Sequence, residues 1–151
     1  MTEPTQRGGP TGRRRTPHHV TVAAVRWLTP HMVRLTLAGD TLDAIDRPAA
    51  TDLYIKLVVG EPPTPDSRPV VRSYPVRAVR EGEWEVDFVV HGDEGLAGPW
   101  AARARPGDPV TFLGPGGAYA PDLAAPWHLF VGDHAALPAI AAAVETLPAG
   151  T

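Results

Sequence analysis

The hexapeptide Arg72-Ser73-Tyr74-Pro75-Val76-Arg77 holds the residue types with the most chemistry in this chain. Side chains alternate faces along a strand, so Arg72 and Tyr74 fall on one face. There a guanidinium can hold a phosphate while a phenol ring stacks on a planar group. Arg77 has the opposite parity and joins them only through a bulge. Taken alone, the hexapeptide fits equally well two surface charges flanking a core tyrosine. One strand further on, Gly95-Leu96-Ala97-Gly98-Pro99-Trp100-Ala101 reads as a glycine-bounded turn into a short helix. Gly98 is its expected N-cap and Pro99 its first helical residue, and Pro106-Gly107 supplies the stop. Small residues at such a start let backbone N–H groups approach anionic oxygens. An aromatic face, a cation and a helix start are together what a flavin dinucleotide, FAD, requires.

Other chemistries find no support. The six histidines, at 18, 19, 31, 91, 128 and 134, show no metal-ligand spacing, and with zero cysteines there is no thiolate nucleophile, disulfide or cysteine-based metal site. No metal is expected. Gly114-Pro115-Gly116-Gly117 lacks the Lys-Ser/Thr that follows a phosphate-binding loop and reads as a hairpin or connecting loop. The acids are scattered without an acid/base pair, and Ser73 has no nucleophile-elbow context, so no catalytic side chain is expected. Net charge is −3, from 14 basic and 17 acidic residues. Setting aside the four arginines and one glutamate of residues 1–17 leaves 10 basic against 16 acidic, which argues against a nucleic-acid partner. No apolar run reaches the roughly 20 residues of a membrane span, and no apolar signal core follows the N-terminal arginines, so the expected location is the cytoplasm.

The elements that must position these residues are short and β-rich. Fifteen glycines and 18 prolines favour many brief elements over a helical bundle. Residues 1–17, rich in Gly, Pro, Thr and Arg, are expected to be disordered. Six β-branched runs follow: HVTVAAVRWL, MVRLTLAG, DLYIKLVV, PVVRSYPVRAV, WEVDFVV and PVTFLG. Alternation in Val33-Leu35-Leu37 and Trp84-Val86-Phe88-Val90 marks strands with one buried face, hence an antiparallel barrel or sandwich. Beyond them, residues 127–131 read as a further strand, Gly132-Asp133 as a turn and residues 134–147 as an Ala-rich helix. This is the opening of a parallel α/β unit with no second strand to pair with it. Such an unpaired strand would expose an apolar edge and invite association.

The ordered set RSYPVR, DFVVHGDEGLAGPWAARARPGD, FLGPGGAYAPD and GDHAALPAI resembles the siderophore-interacting protein family across residues 18–150. That family resembles in turn the ferredoxin-reductase-like flavoproteins. The resemblance implies a mainly β fold: a six-stranded antiparallel Greek-key FAD-binding barrel with a short helix over residues 18–122. An incomplete β-α unit of a nicotinamide-nucleotide domain would follow over residues 123–151. It also implies the cofactor-binding residues. Arg72, Ser73, Tyr74 and Pro75 match the flavin-ring and phosphate motif; Asp87, Val89 and His91 match the strand lining FAD. Leu96, Ala97, Gly98, Pro99 and Trp100 match the pyrophosphate-binding helix start, and Asp133, after Gly132, the entry to the nicotinamide side. The implied activity is ferric-siderophore reduction, with FAD taking hydride from NAD(P)H and passing single electrons to siderophore-bound Fe(III). The alternative is an FAD-binding module without its own NAD(P)H-driven turnover, completed by a separate or self-associated partner. A general flavin or ferredoxin-type reductase is a third reading. Three departures from the family pattern stand out. Pro75 occupies a position usually held by a hydroxyl residue, Gly98 one where Ser or Thr is common, and Ala135 one where Thr is frequent.

Overall fold

The computed structural model describes residues 16–60, 64, 67 and 69–150. Six strands form: β1 (Pro17–Thr29), β2 (Met32–Ala38), β3 (Tyr54–Gly60), β4 (Val70–Arg80), β5 (Glu83–Val89) and β6 (Pro109–Gly116). They match the six apolar runs. Every neighbouring pair is antiparallel, and the order β1-β2-β5-β4-β3-β6 closes on itself as a barrel. The choice between barrel and sandwich is thus decided by β6, which ladders with both β1 and β3 and leaves no free edge. Alternation fills the interior. Val33, Leu35, Leu37, Ile55, Trp84, Val86, Phe88 and Phe112 are all fully buried and form one core. A single 3-10 turn at Leu42–Ala44 buries Leu42 in the same core.

Helix α1 (Ala97–Arg103) follows β5, and helix α2 (Leu137–Val144) follows the barrel. Four expectations shift. The N-cap of α1 is Leu96, two residues before Gly98, and Pro99 is the third helical residue. Both residues suit this earlier start. Proline costs no hydrogen bond anywhere in the first turn, and a Cβ on Gly98 would lie only 3.0 Å from the Val89 carbonyl oxygen, so the absence of one lets α1 settle on β5. Residues 127–131 form no strand. The closed barrel offers no edge, and among the described residues no second parallel strand exists to supply a ladder. The helix expected over residues 134–147 contracts to eight residues because Asp133 makes a turn first: its Oδ1 accepts the N–H groups of Ala135 and Ala136. Finally, the expected disordered tail lies outside the described residues through Arg15, while Pro17 already pairs with Leu113 in the barrel wall.

Candidate functional site

Strand β4 changes partner part-way along its length. Residues from Val70 to Pro75 register with β3, whereas those from Val76 to Arg80 register with β5. Strand β5 divides likewise: its residues from Glu83 to Val86 face β4, but Asp87, Phe88 and Val89 register only with β2. The two strands therefore splay apart at one end of the barrel. A seam opens there, along which β4 keeps its β3 ladder but has none on the β5 side. Pro75 stands at the handover, where its missing N–H breaks no ladder.

Both residues expected to share a face are on this seam. Arg72 is exposed, and its guanidinium donates to the adjacent Val71 carbonyl at 2.9 Å. Among the described residues it has no carboxylate partner. Tyr74 is half-buried against the core, with its ring centroid 4.5 Å from that of Phe88. Burial pushes the Tyr74 phenol pKa up, and the nearby positive charge of Arg72 partly opposes that shift. The pair thus presents a cation with no carboxylate partner among the described residues beside a half-buried aromatic ring. Ser73 is exposed on the opposite face. Arg77 does not join them. A bulge between Val76 and Ala78 occurs, but Arg77 turns to α2 and forms a bidentate pair with Glu145, whose carboxyl it holds below the usual range.

Helix α1 reaches the same seam from the β5 side. Trp100 meets Phe88 edge-on with centroids 5.8 Å apart, so Tyr74, Phe88 and Trp100 make a continuous aromatic row. Ala97 and Pro99 are buried beneath the helix, while Leu96 is 48% exposed at its start. The N–H groups of Ala97 and Gly98 belong to the first turn, whose donors a helix cannot satisfy internally.

The three β5 positions divide. Val89 is half-buried with its carbonyl under Gly98, and His91 is exposed just beyond the strand. Asp87 is buried on the face opposite Phe88, where both its oxygens accept from Arg34, at 2.6 Å from Nε and 2.8 Å from the terminal nitrogen. Glu85 joins the same guanidinium at 3.2 Å and also pairs with Arg80 at 2.7 Å. Asp87 is therefore committed to holding β2 on β5. Asp133 lies apart from the seam, in the turn before α2.

Two residues of this arrangement escape sequence reasoning. Arg34 is 53 residues from Asp87, and nothing local links them. Phe88 reads as ordinary core from its parity, which is correct but silent about Tyr74. A cleft of about 400 Å³, lined in part by Arg47, Leu53, Val79, Pro121 and Leu123, holds none of the seam residues.

Residues 60–119, which contain both flanks of the seam and all of α1, match the model of the siderophore-interacting FAD-binding domain. The barrel matches the FAD-binding barrel of siderophore-interacting proteins. The structural likeness extends over most of the chain. The siderophore-interacting protein SipS from Aeromonas hydrophila superposes with a TM-score of 0.73 at 34% identity, covering 89% of this chain and 55% of that one. Among curated relatives, the uncharacterized protein Rv2895c of Mycobacterium tuberculosis is 50% identical over 87% of this chain and 53% of its own length. Ferric vibriobactin reductase ViuB of Vibrio cholerae is 42% identical over 56% of this chain and 32% of its own. The chain thus spans about half, or less, of the curated relatives it matches. The relatives it matches include proteins named ferric reductases.

The seam fits the family's cofactor in kind. FAD brings a planar ring and a pyrophosphate, and the seam offers the half-buried ring of Tyr74, the exposed guanidinium of Arg72 and the first-turn donors of α1. No group of three or more metal-ligating side chains occurs among the described residues, and no described helix is long and apolar enough to cross a membrane.

Proposed function

We propose that the β4–β5 seam binds FAD and that the chain acts in ferric-siderophore reduction. In this reading Tyr74 stacks on the isoalloxazine ring, Arg72 neutralises phosphate, and the backbone from Leu96 to Trp100 closes over the pyrophosphate. FAD held there would supply the redox chemistry, two-electron reduction by NAD(P)H as hydride donor and one-electron reduction of two siderophore-bound Fe(III) centres with release of one proton. Fe(II) then leaves the hard-oxygen siderophore more readily than Fe(III). No side chain acts as acid or base. What the protein contributes is binding, orientation and the field of Arg72.

The observation that carries the reading is the placing of a cation with no carboxylate partner among the described residues beside a half-buried tyrosine ring, where β4 and β5 part. The test is the visible spectrum of the purified protein and identification of the ligand released by heat. The same measurements follow on Arg72→Ala and Tyr74→Ala. Stoichiometric FAD that weakens in both variants is expected. A protein unable to take up FAD refutes the assignment.

A second reading, an FAD-binding module without its own NAD(P)H turnover, is favoured by the absence of a ladder at residues 127–131. We propose that residues 123–151 open a nicotinamide-nucleotide domain, with Asp133 at its entry, and that a further polypeptide segment or partner pairs with residues 127–131. FAD-loaded protein that fails to oxidise NADPH would select the module reading.

A further inference from the structure

We infer that Phe88 is a positioning residue for Tyr74, fixing the angle at which that ring meets the flavin; this rests on the FAD reading of the seam. Phe88 is fully buried, so it touches no ligand itself. Its ring is nevertheless the surface on which Tyr74 lies, with centroids 4.5 Å apart and planes tilted by 40°. Behind it, Trp100 closes edge-on at 67°, and Val33 faces it across the β2–β5 ladder. Phe88 is thus held by a strand residue of β2 and a helix residue of α1, both on the β5 side of the seam. Tyr74 sits opposite Ile55 in the β3–β4 ladder, but its stretch of β4 has no ladder on the β5 side. On that side the aromatic contact with Phe88 is what holds the ring, and offset pairs of this kind have a preferred geometry. The residues of β5 closest to the cofactor by number, Asp87 and Val89, point away from this contact. The strand acts on the ring through the residue between them.

The test separates positioning from stability. Phe88→Leu and Phe88→Met remove the ring while keeping apolar volume. Phe112→Leu is the control, since Phe112 is equally buried but packs on His18 and Trp84 instead. In FAD-free protein, the Tyr74 ring-proton NMR signals are expected to sharpen in both Phe88 variants, as faster ring flips average them, and to keep their width in Phe112→Leu. In FAD-loaded protein, the visible circular dichroism of the flavin should shrink and FAD affinity fall roughly three- to tenfold in the Phe88 variants only, the loss of about one aromatic pair. Unchanged Tyr74 line widths in Phe88→Met, or equal changes in Phe112→Leu, overturn the inference. Sharpened Tyr74 signals in a protein that takes up no FAD leave the positioning intact and refute the flavin reading instead.

Discussion

Asp87 is a site residue by its position along the family motif and a structural residue by its contacts, and the two roles predict different outcomes for Asp87→Ala. Its side chain is 4% exposed and its Arg34 partner 14%, with two short hydrogen bonds between them. Breaking a buried pair by deleting one partner costs about 3–5 kcal/mol, because the other charge is left desolvated. Arg34 keeps Glu85 at 3.2 Å and retains some contact with water, so the cost here should be smaller, about 2–3 kcal/mol. For a chain of this size that lowers Tm by roughly 6–12 °C. FAD affinity, measured by fluorescence titration well below the lowered Tm, should stay within about twofold of the parent, since no carboxylate is withdrawn from the ligand. Arg34→Met should cost at least as much, because it strands the more buried of the two charges, and the double variant Asp87→Ala/Arg34→Met should recover part of the loss. A Tm within about 1 °C of the parent together with a large loss of FAD would refute the reasoning and return Asp87 to direct contact with the cofactor.

Three further outcomes follow. Gly98→Val should push α1 off the Val89 carbonyl, costing about 1–3 kcal/mol by overpacking and weakening FAD binding at the same time; denaturant midpoints and flavin titration check both. Glu145→Gln should cost only about 0.5 kcal/mol, since the carboxylate is 60% exposed. Because Arg77 depresses the folded-state pKa of Glu145, the pair's contribution is present above the ordinary glutamate pKa and is lost as pH falls through the depressed value, so parent and variant should converge in stability in acid. Trp127 and Leu129, exposed by 71% and 75%, should drive self-association; replacing both with serine should abolish any concentration dependence of the sedimentation coefficient, and an unchanged dependence would exonerate them.

The barrel was legible because its signal is local. Each strand repeats an inward apolar residue at every second position, and Trp84, Val86 and Phe88 carry that pattern without interruption. The site was legible only as residue types. Parity brought Arg72 and Tyr74 to one face, but it could not show that β4 exchanges β3 for β5 at Pro75, since a change of ladder partner is a property of the whole barrel. The same limit explains Asp87 and Arg34, whose pairing depends on the β2–β5 register. Residues 127–131 failed for the opposite reason. Their local pattern is that of a strand, with Trp127, Leu129 and Val131 exposed on alternate positions and His128 and Phe130 half-buried between them. A strand, however, exists only in a ladder, and the closed barrel leaves none to join.

Strand β4 itself gives a reason to place the cofactor at the seam. It carries three arginines, and two of them are neutralised by carboxylates: Arg77 by Glu145 and Arg80 by Glu85. Arg72, on the same strand and in a folded region with more acidic than basic residues, has no such partner among the described residues, although pairing would cost the fold little. Stability alone gives no reason to leave a cation without a carboxylate beside a stretch of backbone laddered on one side only and a tyrosine ring held by packing. Departures from local consistency of this kind tend to mark functional positions. The three departures at the seam, in charge, ladder and ring, coincide within a few residues of β4, and a bound anion attached to a planar ring would satisfy all of them together.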